Sequence, residues 1–310
     1  MHHPLIGFDV GGTKIEIAVL GSQSEVLWRH RMPTPQGQYK ATLETIQALL
    51  EQALSELKIS LPNTLGFGIP GCLDPTTQRV RGANSQVLNG QALKRDLEDL
   101  LHTRVVLEND ANCLALSESV DGAAKGMRCV FGVILGTGCG AGLVFDQHLW
   151  SGANHIAGEF GHTPLPLYGL NEQDPKACWC GQLNCLERWI SGPAFQEDHW
   201  NTYHEDLEPQ EIVQAMREGH PNAQKSFDLY VDRLARGLAQ IVNTIDPECI
   251  VLGGGMSNVS EIYPALKSQI EHYSFTQPLR TQIVKALHGD SSGVRGAAWL
   301  GRASSNIGNR

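Results

Sequence analysis

The chain has 310 residues, of which 41% are hydrophobic and 18% charged, and its formal net charge at pH 7 is -9. That length suits one large domain or two ordinary domains of roughly 150 residues each, and the apolar fraction is too high for a disordered chain. The mild acidity comes with no Lys/Arg block that follows a phosphate backbone, which disfavours nucleic-acid binding as the main function.

Neither a membrane span nor an export signal is visible. The longest uncharged stretch, residues 129–145, is interrupted by glycines and is too short to span a bilayer. The first residues lack the apolar segment and the small-residue cleavage site of a signal peptide. We therefore expect a cytoplasmic protein with no membrane partner. In that reducing compartment, the crowding of Cys178, Cys180 and Cys185 suggests a metal site before a disulfide.

The predicted elements alternate between strands and helices. In the first half, strands at 5–10 and 15–20 flank a glycine turn, followed by a helix at 41–57, a strand at 65–69, a helix at 93–102, a strand at 104–107 and a helix from 108 to 120. In the second half, strands at 130–135 and 141–145 flank another glycine turn, followed by an irregular segment at 151–187, helices at 210–219 and 223–244, a strand at 249–252 and a helix at 294–301. This alternation predicts an α/β fold whose two halves are a structural repeat.

The two glycine turns have the chemistry of a phosphate site. Asp9-x-Gly11-Gly12-Thr13-Lys14 places an acid at a strand end, where it is available to Mg²⁺ or its waters, before a turn whose amides and Thr13 hydroxyl can approach phosphate oxygens. An ordinary hairpin turn is the alternative. The motif is neither a Walker A loop nor a Rossmann turn. Its repetition at Gly136-Thr137-Gly138 favours two loops that close on one polyphosphate.

Two further junctions each allow two interpretations. Asn109 and Asp110 lie where a strand ends and a helix begins, so either residue is an N-cap, or Asp110 is a general base that accepts a proton from a hydroxyl attacking phosphorus. Gly254 and Gly255 follow an apolar strand, where a backbone without side chains can lie against a base or ribose. A tight strand-to-helix turn is the other interpretation of those glycines.

A metal-binding pattern lies in the irregular segment. His162, Cys178, Cys180 and Cys185 form a closed set of four ligands, as expected for structural zinc with no open position for water. A group of unrelated buried thiols is the alternative. Glu159 and Glu187 flank the set, so a zinc-organised loop would hold both carboxylates toward a polyhydroxyl ligand, unless they are solvated surface glutamates.

Taken together, these motifs resemble those of the ROK family of repressors, open reading frames and sugar kinases, in order from residue 5 to residue 300. The resemblance rests on Asp9-x-Gly-Gly-Thr-Lys14, Glu108-Asn-Asp-Ala-Asn112 with Ala115-Leu-x-Glu118, Leu135-Gly-Thr-Gly-x-Gly140, Gly158-Glu-x-Gly-His162 and Cys178-x-Cys-Gly-x-x-x-Cys-x-Glu187. The stretches 83–90, 120–124 and 288–299 look most like the bacterial fructokinase (manno-fructokinase) subgroup.

The resemblance implies an actin-like ATPase fold, with two ribonuclease-H-like α/β domains around a cleft. The N-terminal domain would comprise residues 1–119 and a returning helix at 289–310. The C-terminal domain would comprise residues 120–288, including a zinc loop at 158–187. A homodimer is also expected. The chain departs from the family at Asn184, where relatives carry glycine before the third cysteine; asparagine tolerates left-handed backbone, so the loop should persist.

The resemblance also implies roles for the matching positions. Asp110 would be the base; Asn84, Asn109, Glu159, His162 and Glu187 would contact the sugar; Asp9, Gly11, Gly12, Thr13, Lys14, Gly136, Thr137 and Gly138 would surround Mg²⁺ and the phosphates; Gly254 and Gly255 would lie near adenosine; and His162, Cys178, Cys180 and Cys185 would bind Zn²⁺.

The expected activity is transfer of the ATP γ-phosphoryl group to the 6-hydroxyl of a hexose, with D-fructose first. The alternatives within the family are an N-acetylglucosamine kinase and a glucokinase. A repressor is disfavoured because eight residues precede Asp9, too few for a DNA-binding arm. A non-catalytic sugar sensor would tend to lose the base, and Asp110 is present.

Overall fold

The computed structural model describes residues 4–83, 85–169 and 172–303. The strands are β1 (Leu5–Val10), β2 (Lys14–Leu20), β3 (Val26–Pro33), β4 (Thr64–Ile69), β5 (Cys72–Leu73), β6 (Val80–Arg81), β7 (Arg104–Asn109), β8 (Cys129–Leu135), β9 (Cys139–Phe145), β10 (His148–Leu149), β11 (Cys249–Gly253) and β12 (Gln282–Lys285). The α-helices are α1 (Tyr39–Leu57), α2 (Leu93–Leu101), α3 (Asp110–Val120), α4 (Glu187–Ile190), α5 (Gly192–Tyr203), α6 (Pro209–Arg217), α7 (Pro221–Ile245), α8 (Ile262–Tyr273) and α9 (Ser292–Ala303). Among these helices, none combines the length and apolar character that crossing a membrane requires.

The predicted repeat is confirmed by two five-stranded sheets of the same design. Their strand orders are β3-β2-β1-β4-β7 and β10-β9-β8-β11-β12. In each sheet an antiparallel hairpin, β1–β2 or β8–β9, has a parallel strand on its other side, β4 or β11. The two glycine turns therefore occupy equivalent places in the two sheets.

The predicted elements gave no range for strands β3 and β12, for the short strands β5, β6 and β10, or for helices α4, α5 and α8. Strand β3 is an edge strand with mostly exposed side chains, so it carries no apolar alternation. It is held by backbone pairing to β2 and by Arg29 and Arg31, which donate to the buried carboxylate of Glu16. The charged edge also protects the sheet from pairing with another chain.

Helix α9 returns to the first sheet and makes backbone-to-backbone contact with it. A Cβ atom on Gly7 of β1 would lie 2.1 Å from the amide nitrogen of Ala298, and one on Gly66 of β4 would lie 1.7 Å from the carbonyl oxygen of Ala297. Real Cβ atoms do not come so close to other atoms, so both positions require glycine for this packing.

Helix α3 lies between the first sheet's α9 and the second sheet. A Cβ on Gly296 of α9 would lie 1.7 Å from the carbonyl oxygen of Cys113 in α3. On the opposite side, a Cβ on Gly132 would lie 2.8 Å from the Cα of Ala115, and one on Gly142 would lie 2.8 Å from the carbonyl oxygen of Ala111. Residues 111–119 are accordingly all buried, and the start of α3 is fixed relative to both sheets.

The substitution Gly296→Ala tests the contact between α9 and α3. In a helix without such a contact, alanine is more stable than glycine by about 1 kcal/mol. Here the new methyl group meets backbone, which cannot rotate away, and overpacking costs about 1–3 kcal/mol. We expect the free energy of unfolding to fall by about 2 kcal/mol in a denaturant titration.

The matched control is Gly255→Ala, where an added Cβ has no atom within 4 Å. That variant should unfold within about 0.5 kcal/mol of the unchanged protein. Equal stability of the two variants would contradict the close packing of α9 on α3.

Candidate active site

The first glycine turn joins β1 to β2 and is held on its carbonyl side. The Gly11 amide donates to the carbonyl oxygen of Lys14 at 2.9 Å. The carbonyl oxygen of Gly11 accepts from Thr34 Oγ1 at 2.8 Å, and that of Gly12 accepts from Gln36 Nε2 at 2.6 Å. Thr13 at the tip is exposed. Donors thus occupy the carbonyl groups of Gly11 and Gly12, and the Gly11 amide is bonded within the turn, so anion binding would fall to the amides of Gly12 and Thr13.

The second glycine turn lies beside the glycines that follow β11. The Gly136 amide donates to the carbonyl oxygen of Gly138 at 3.0 Å, and the Gly136 carbonyl accepts from the amide of Gly192 at the start of α5 at 2.8 Å. Gly254 has φ +81°, and a Cβ there would lie 2.5 Å from the carbonyl oxygen of Leu135. The structure therefore places Gly254 against the end of β8, which leads directly into Gly136, Thr137 and Gly138.

Lys14, predicted from the sequence to lie near the ATP phosphates, pairs in the structure with a carboxylate on β2. Its Nζ lies 3.7 Å from Oε2 of Glu16, two residues along β2, and Glu16 also pairs with Arg29 and Arg31. Residues i and i+2 share a face of a strand, so this pairing was visible in the sequence. In the structure Lys14 is thus directed toward Glu16.

The cap at the start of α3 is Asn109. Its Oδ1 accepts from the amides of Ala111 at 2.7 Å and Asn112 at 3.4 Å, and its Nδ2 donates to the carbonyl oxygen of Gly71 at 3.4 Å. Of the two interpretations of this junction, the cap applies to Asn109. Asp110, the first residue of α3, is thereby free of the capping role, although its Oδ1 accepts from the Ala111 amide at 2.8 Å.

Asp9 and Asp110 form an electrostatically strained pair. Burial, with a smaller contribution from the charge of Glu159, raises the pKa of Asp110 to about 6. Burial also raises the pKa of Asp9 to about 6, with the Asp110 charge as the next cause. Carboxylates that repel each other are hard oxygen donors which a divalent cation neutralises. This donor chemistry fits Mg²⁺, with Asp9 at the carboxyl end of β1.

The four predicted zinc ligands lie together. Their ligand atoms are all within 4.8 Å of one another. The Sγ atoms of Cys180 and Cys185 are 3.6 Å apart, and Sγ of Cys178 is 3.5 Å from Nδ1 of His162. Around tetrahedral zinc, with Zn–S of about 2.3 Å and Zn–N of about 2.0 Å, two sulfurs lie about 3.8 Å apart and sulfur and nitrogen about 3.5 Å apart. The arrangement fits a closed structural zinc site.

The backbone of this loop accommodates the departure at Asn184. Asn184 has φ +60°, the left-handed conformation that was expected there. Its side-chain Oδ1 accepts from the amide of Lys176 at 2.7 Å, which fixes the turn before Cys185. Asparagine therefore replaces glycine in this loop without losing the required conformation.

His162 and the two glutamates connect the cysteine cluster to the cleft. Because Nδ1 of His162 faces Cys178, Nε2 is left on the opposite side of the ring, 4.0 Å from Oε2 of Glu159. Oε2 of Glu187 accepts from the amide of Cys139 at 2.9 Å, and a Cβ on Gly138 would lie 2.7 Å from that same oxygen. Glu187 thus lies directly against the second glycine turn.

A cavity of about 280 Å³ lies along the free edge of β7. Asn109 and Glu159, two predicted sugar contacts, line the same cavity. Asn84, a third predicted contact, lies outside the described residues. Trp179 was not among the predicted site residues, although its Nε1 donates to Oε1 of Glu187 at 2.8 Å. Its position between two predicted metal ligands is the sequence feature that could have indicated a place in the site.

Comparison with known proteins shows which family has these features. The sequence profile of the ROK family matches residues 5–304. The chain belongs to the ROK family. It is 39% identical over 298 residues to an N-acetyl-D-glucosamine kinase of Photobacterium profundum. The aligned region covers 95% of this chain and 98% of that protein.

Solved structures show the same fold. A ROK hexokinase from Thermus thermophilus has a TM-score of 0.88 and 29% identity, covering 98% of this chain and 100% of that one. A ROK family glucokinase from Streptomyces griseus, in complex with glucose and AMPPNP, has a TM-score of 0.78 and 28% identity, covering 97% and 99% of the two chains. The expected actin-like ATPase fold of the ROK kinases is confirmed.

Metal analysis tests the zinc interpretation of the cysteine cluster. We expect about one zinc per chain, since four closed ligands are the pattern of a structural site. Cys180→Ser should lose the metal and unfold at lower denaturant concentration, because metal binding contributes folding free energy. The matched control is Cys129→Ser, outside the cluster, which should keep the metal. Fully folded protein without zinc would contradict this interpretation.

Proposed function

We propose that the protein is an ATP-dependent N-acetylglucosamine kinase that phosphorylates the 6-hydroxyl of the sugar. The chain is a sugar kinase of the ROK family, and the observation that favours this sugar is the 39% identity, along 95% of the chain, to an N-acetyl-D-glucosamine kinase. The expected preference for fructose rested on three short stretches of sequence. A similarity that extends over 298 residues outweighs them. N-acetylglucosamine, named above as an alternative within the family, is therefore the proposed substrate.

ATP is proposed to bind between the two glycine turns. Its phosphates would contact Gly11, Gly12 and Thr13 on one side and Gly136–Gly138 on the other, with adenosine near Gly254 and Gly255. Two observations support this assignment: the turns are equivalent in the two sheets, and Gly254 adjoins the second turn. AMPPNP, an ATP analogue, is bound by the related glucokinase from Streptomyces griseus.

Magnesium, when bound, neutralises charge on the β- and γ-phosphates. Asp9 is the proposed residue for the ion or its waters, because it lies at the carboxyl end of β1 directly before the first glycine turn. Its carboxylate also faces the start of α9, where a Cβ on Gly293 would lie 3.3 Å from Oδ2.

The sugar is proposed to bind where Asn109, Glu159, His162 and Glu187 converge, together with Asn84. His162 would act in two ways, with Nδ1 toward the zinc and Nε2 toward the sugar. The closed ligand set leaves the zinc no open position for water, so the proposed role of the zinc is to hold the loop in place. Metal binding and sugar affinity are thereby coupled through one imidazole ring.

Asp110 is proposed as the general base. Its carboxylate would orient the 6-hydroxyl and take the proton as the oxygen attacks the γ-phosphorus, while the bond from that phosphorus to the β-phosphate oxygen breaks and ADP leaves. The raised pKa matches that role, since a base that titrates near 6 is ionised at neutral pH and still accepts a proton better than an ordinary aspartate.

Closure of two domains around this site is part of the proposal. The division is residues 1–119 with 289–310, against 120–288 with the loop at 158–187; residues 304–310 lie outside the described residues. Closure would exclude water that competes with the sugar as phosphoryl acceptor. Helix α3 contacts both the second sheet and α9, so it would lie at the junction of the two proposed parts. The homodimer that the resemblance implies stays a prediction.

ADP release with Mg-ATP and a panel of sugars tests the proposed function. N-acetylglucosamine should give the highest kcat/KM, about tenfold or more above fructose, glucose and mannose, because a site built for an amide rejects sugars that leave its polar groups unpaired. N-acetylmannosamine carries the same amide with the opposite configuration at C2, so it should be slower because the amide is misplaced. A reaction without sugar is the blank. Preference for fructose would overturn the proposed sugar within the same chemistry, and ADP release that no sugar stimulates would overturn the kinase assignment and favour a sensor.

A further inference from the structure

An exposed tryptophan lies among the residues assigned to the sugar. Trp179 is inserted between the predicted zinc ligands Cys178 and Cys180, and 68% of its surface is exposed. Trp150 and Trp200 are exposed as well, so exposure alone does not mark a site. The contacts of the indole ring show what this position provides.

The indole nitrogen of Trp179 donates to Glu187. Nε1 lies 2.8 Å from Oε1, while the other carboxylate oxygen, Oε2, accepts from the amide of Cys139 at 2.9 Å. Each oxygen of Glu187 thus has one fixed donor, and each keeps a lone pair for a further donor. Two donors from different segments hold the carboxylate in one orientation, ready to accept from sugar hydroxyls.

The indole ring also contacts His162 and reaches across the cleft. The two rings meet edge to face with their centres 4.9 Å apart. At the far end of the indole, Cη2 would lie 3.9 Å from a Cβ on Gly82, which directly follows β6. Trp179 therefore extends from the cysteine loop to the β5–β6 hairpin, and it touches two proposed sugar contacts on the way.

We propose that Trp179 is a positioning residue of the sugar site: its indole N–H orients Glu187, and its ring braces His162 and covers the bound sugar against solvent between that histidine and Gly82. This inference rests on the proposed function. It adds a means by which the zinc loop is coupled to sugar affinity, since the backbone of Trp179 is held on both sides by metal ligands.

The variants Trp179→Phe and Trp179→Ala test the proposal, with sugar Kd measured by titration calorimetry and KM for both substrates. A hydrogen bond to a charged group is among the stronger ones, but Trp179 is exposed and water replaces part of it. We expect Trp179→Phe to weaken sugar binding about tenfold and Trp179→Ala to weaken it further, while KM for ATP stays within about twofold. Zinc content should not change.

A double-substitution cycle separates positioning from general loss of structure. If Trp179 acts through Glu187, then Trp179→Phe should weaken sugar binding much less in a Glu187→Gln background than in the unchanged protein. Sugar should also change the intrinsic fluorescence of the unchanged protein, and Trp179→Phe should remove most of that change. The matched control Trp200→Phe, at another exposed tryptophan on α5, should retain it.

The unchanged protein is measured first, so that two failures can be told apart. If it binds no sugar, the proposed function is overturned and this inference with it. If it binds and phosphorylates sugar while both Trp179 variants keep Kd within about twofold, or while the effects of Trp179→Phe and Glu187→Gln are additive, the positioning role alone is overturned.

Discussion

The contact of helix α3 with backbone on opposite sides is the constraint on which the site depends. Gly296 allows α9 to touch Cys113, and Gly132 and Gly142 allow the second sheet to touch the helix at Ala115 and Ala111. Backbone held against backbone has no side chain that can rotate to absorb a shift. In this structure Asp110, the first residue of α3, is therefore held beside the hairpins of both sheets, and so near both glycine turns.

The same geometry explains the electrostatics of the cleft. The repeat brings the carboxyl end of β1 and the start of α3 together, so Asp9 and Asp110 share one partly buried space, with Glu159 from the cysteine loop nearby. The pKa values of Asp9 and Asp110 are raised by burial and by neighbouring negative charge, and neutralisation by a bound cation or by a transferred proton relieves that repulsion. Such a space suits a reaction that brings in magnesium and moves a proton.

What the sequence predicted well is what depends on neighbours along the chain. The hairpin repeat follows from apolar runs around glycines, and the cysteine cluster follows from four ligands within a short segment. The contact of Glu187 with Cys139 joins residues 48 positions apart, and no local pattern specifies it. Strand β3 was not predicted because it is held by backbone pairing and by the buried charge of Glu16, and not by an apolar face. The identity of the sugar depends on a few hydrogen-bond distances that spacing along a chain does not determine.

The pH dependence of kcat/KM, in the unchanged protein and in Asp110→Asn, tests the central claim that α3 presents Asp110 as the catalytic base. With its pKa raised to about 6, Asp110 is ionised above that pH, and kcat/KM should fall about tenfold per unit below it. Because Asp9 also titrates at about 6, the observed value belongs to the pair.

Asp110→Asn should reduce turnover by about 10²- to 10⁴-fold with little change in sugar Kd. The acidic fall of the remaining activity should move to a lower pH, because a neutral side chain at position 110 no longer raises the pKa of Asp9. Turnover close to that of the unchanged protein would contradict the account.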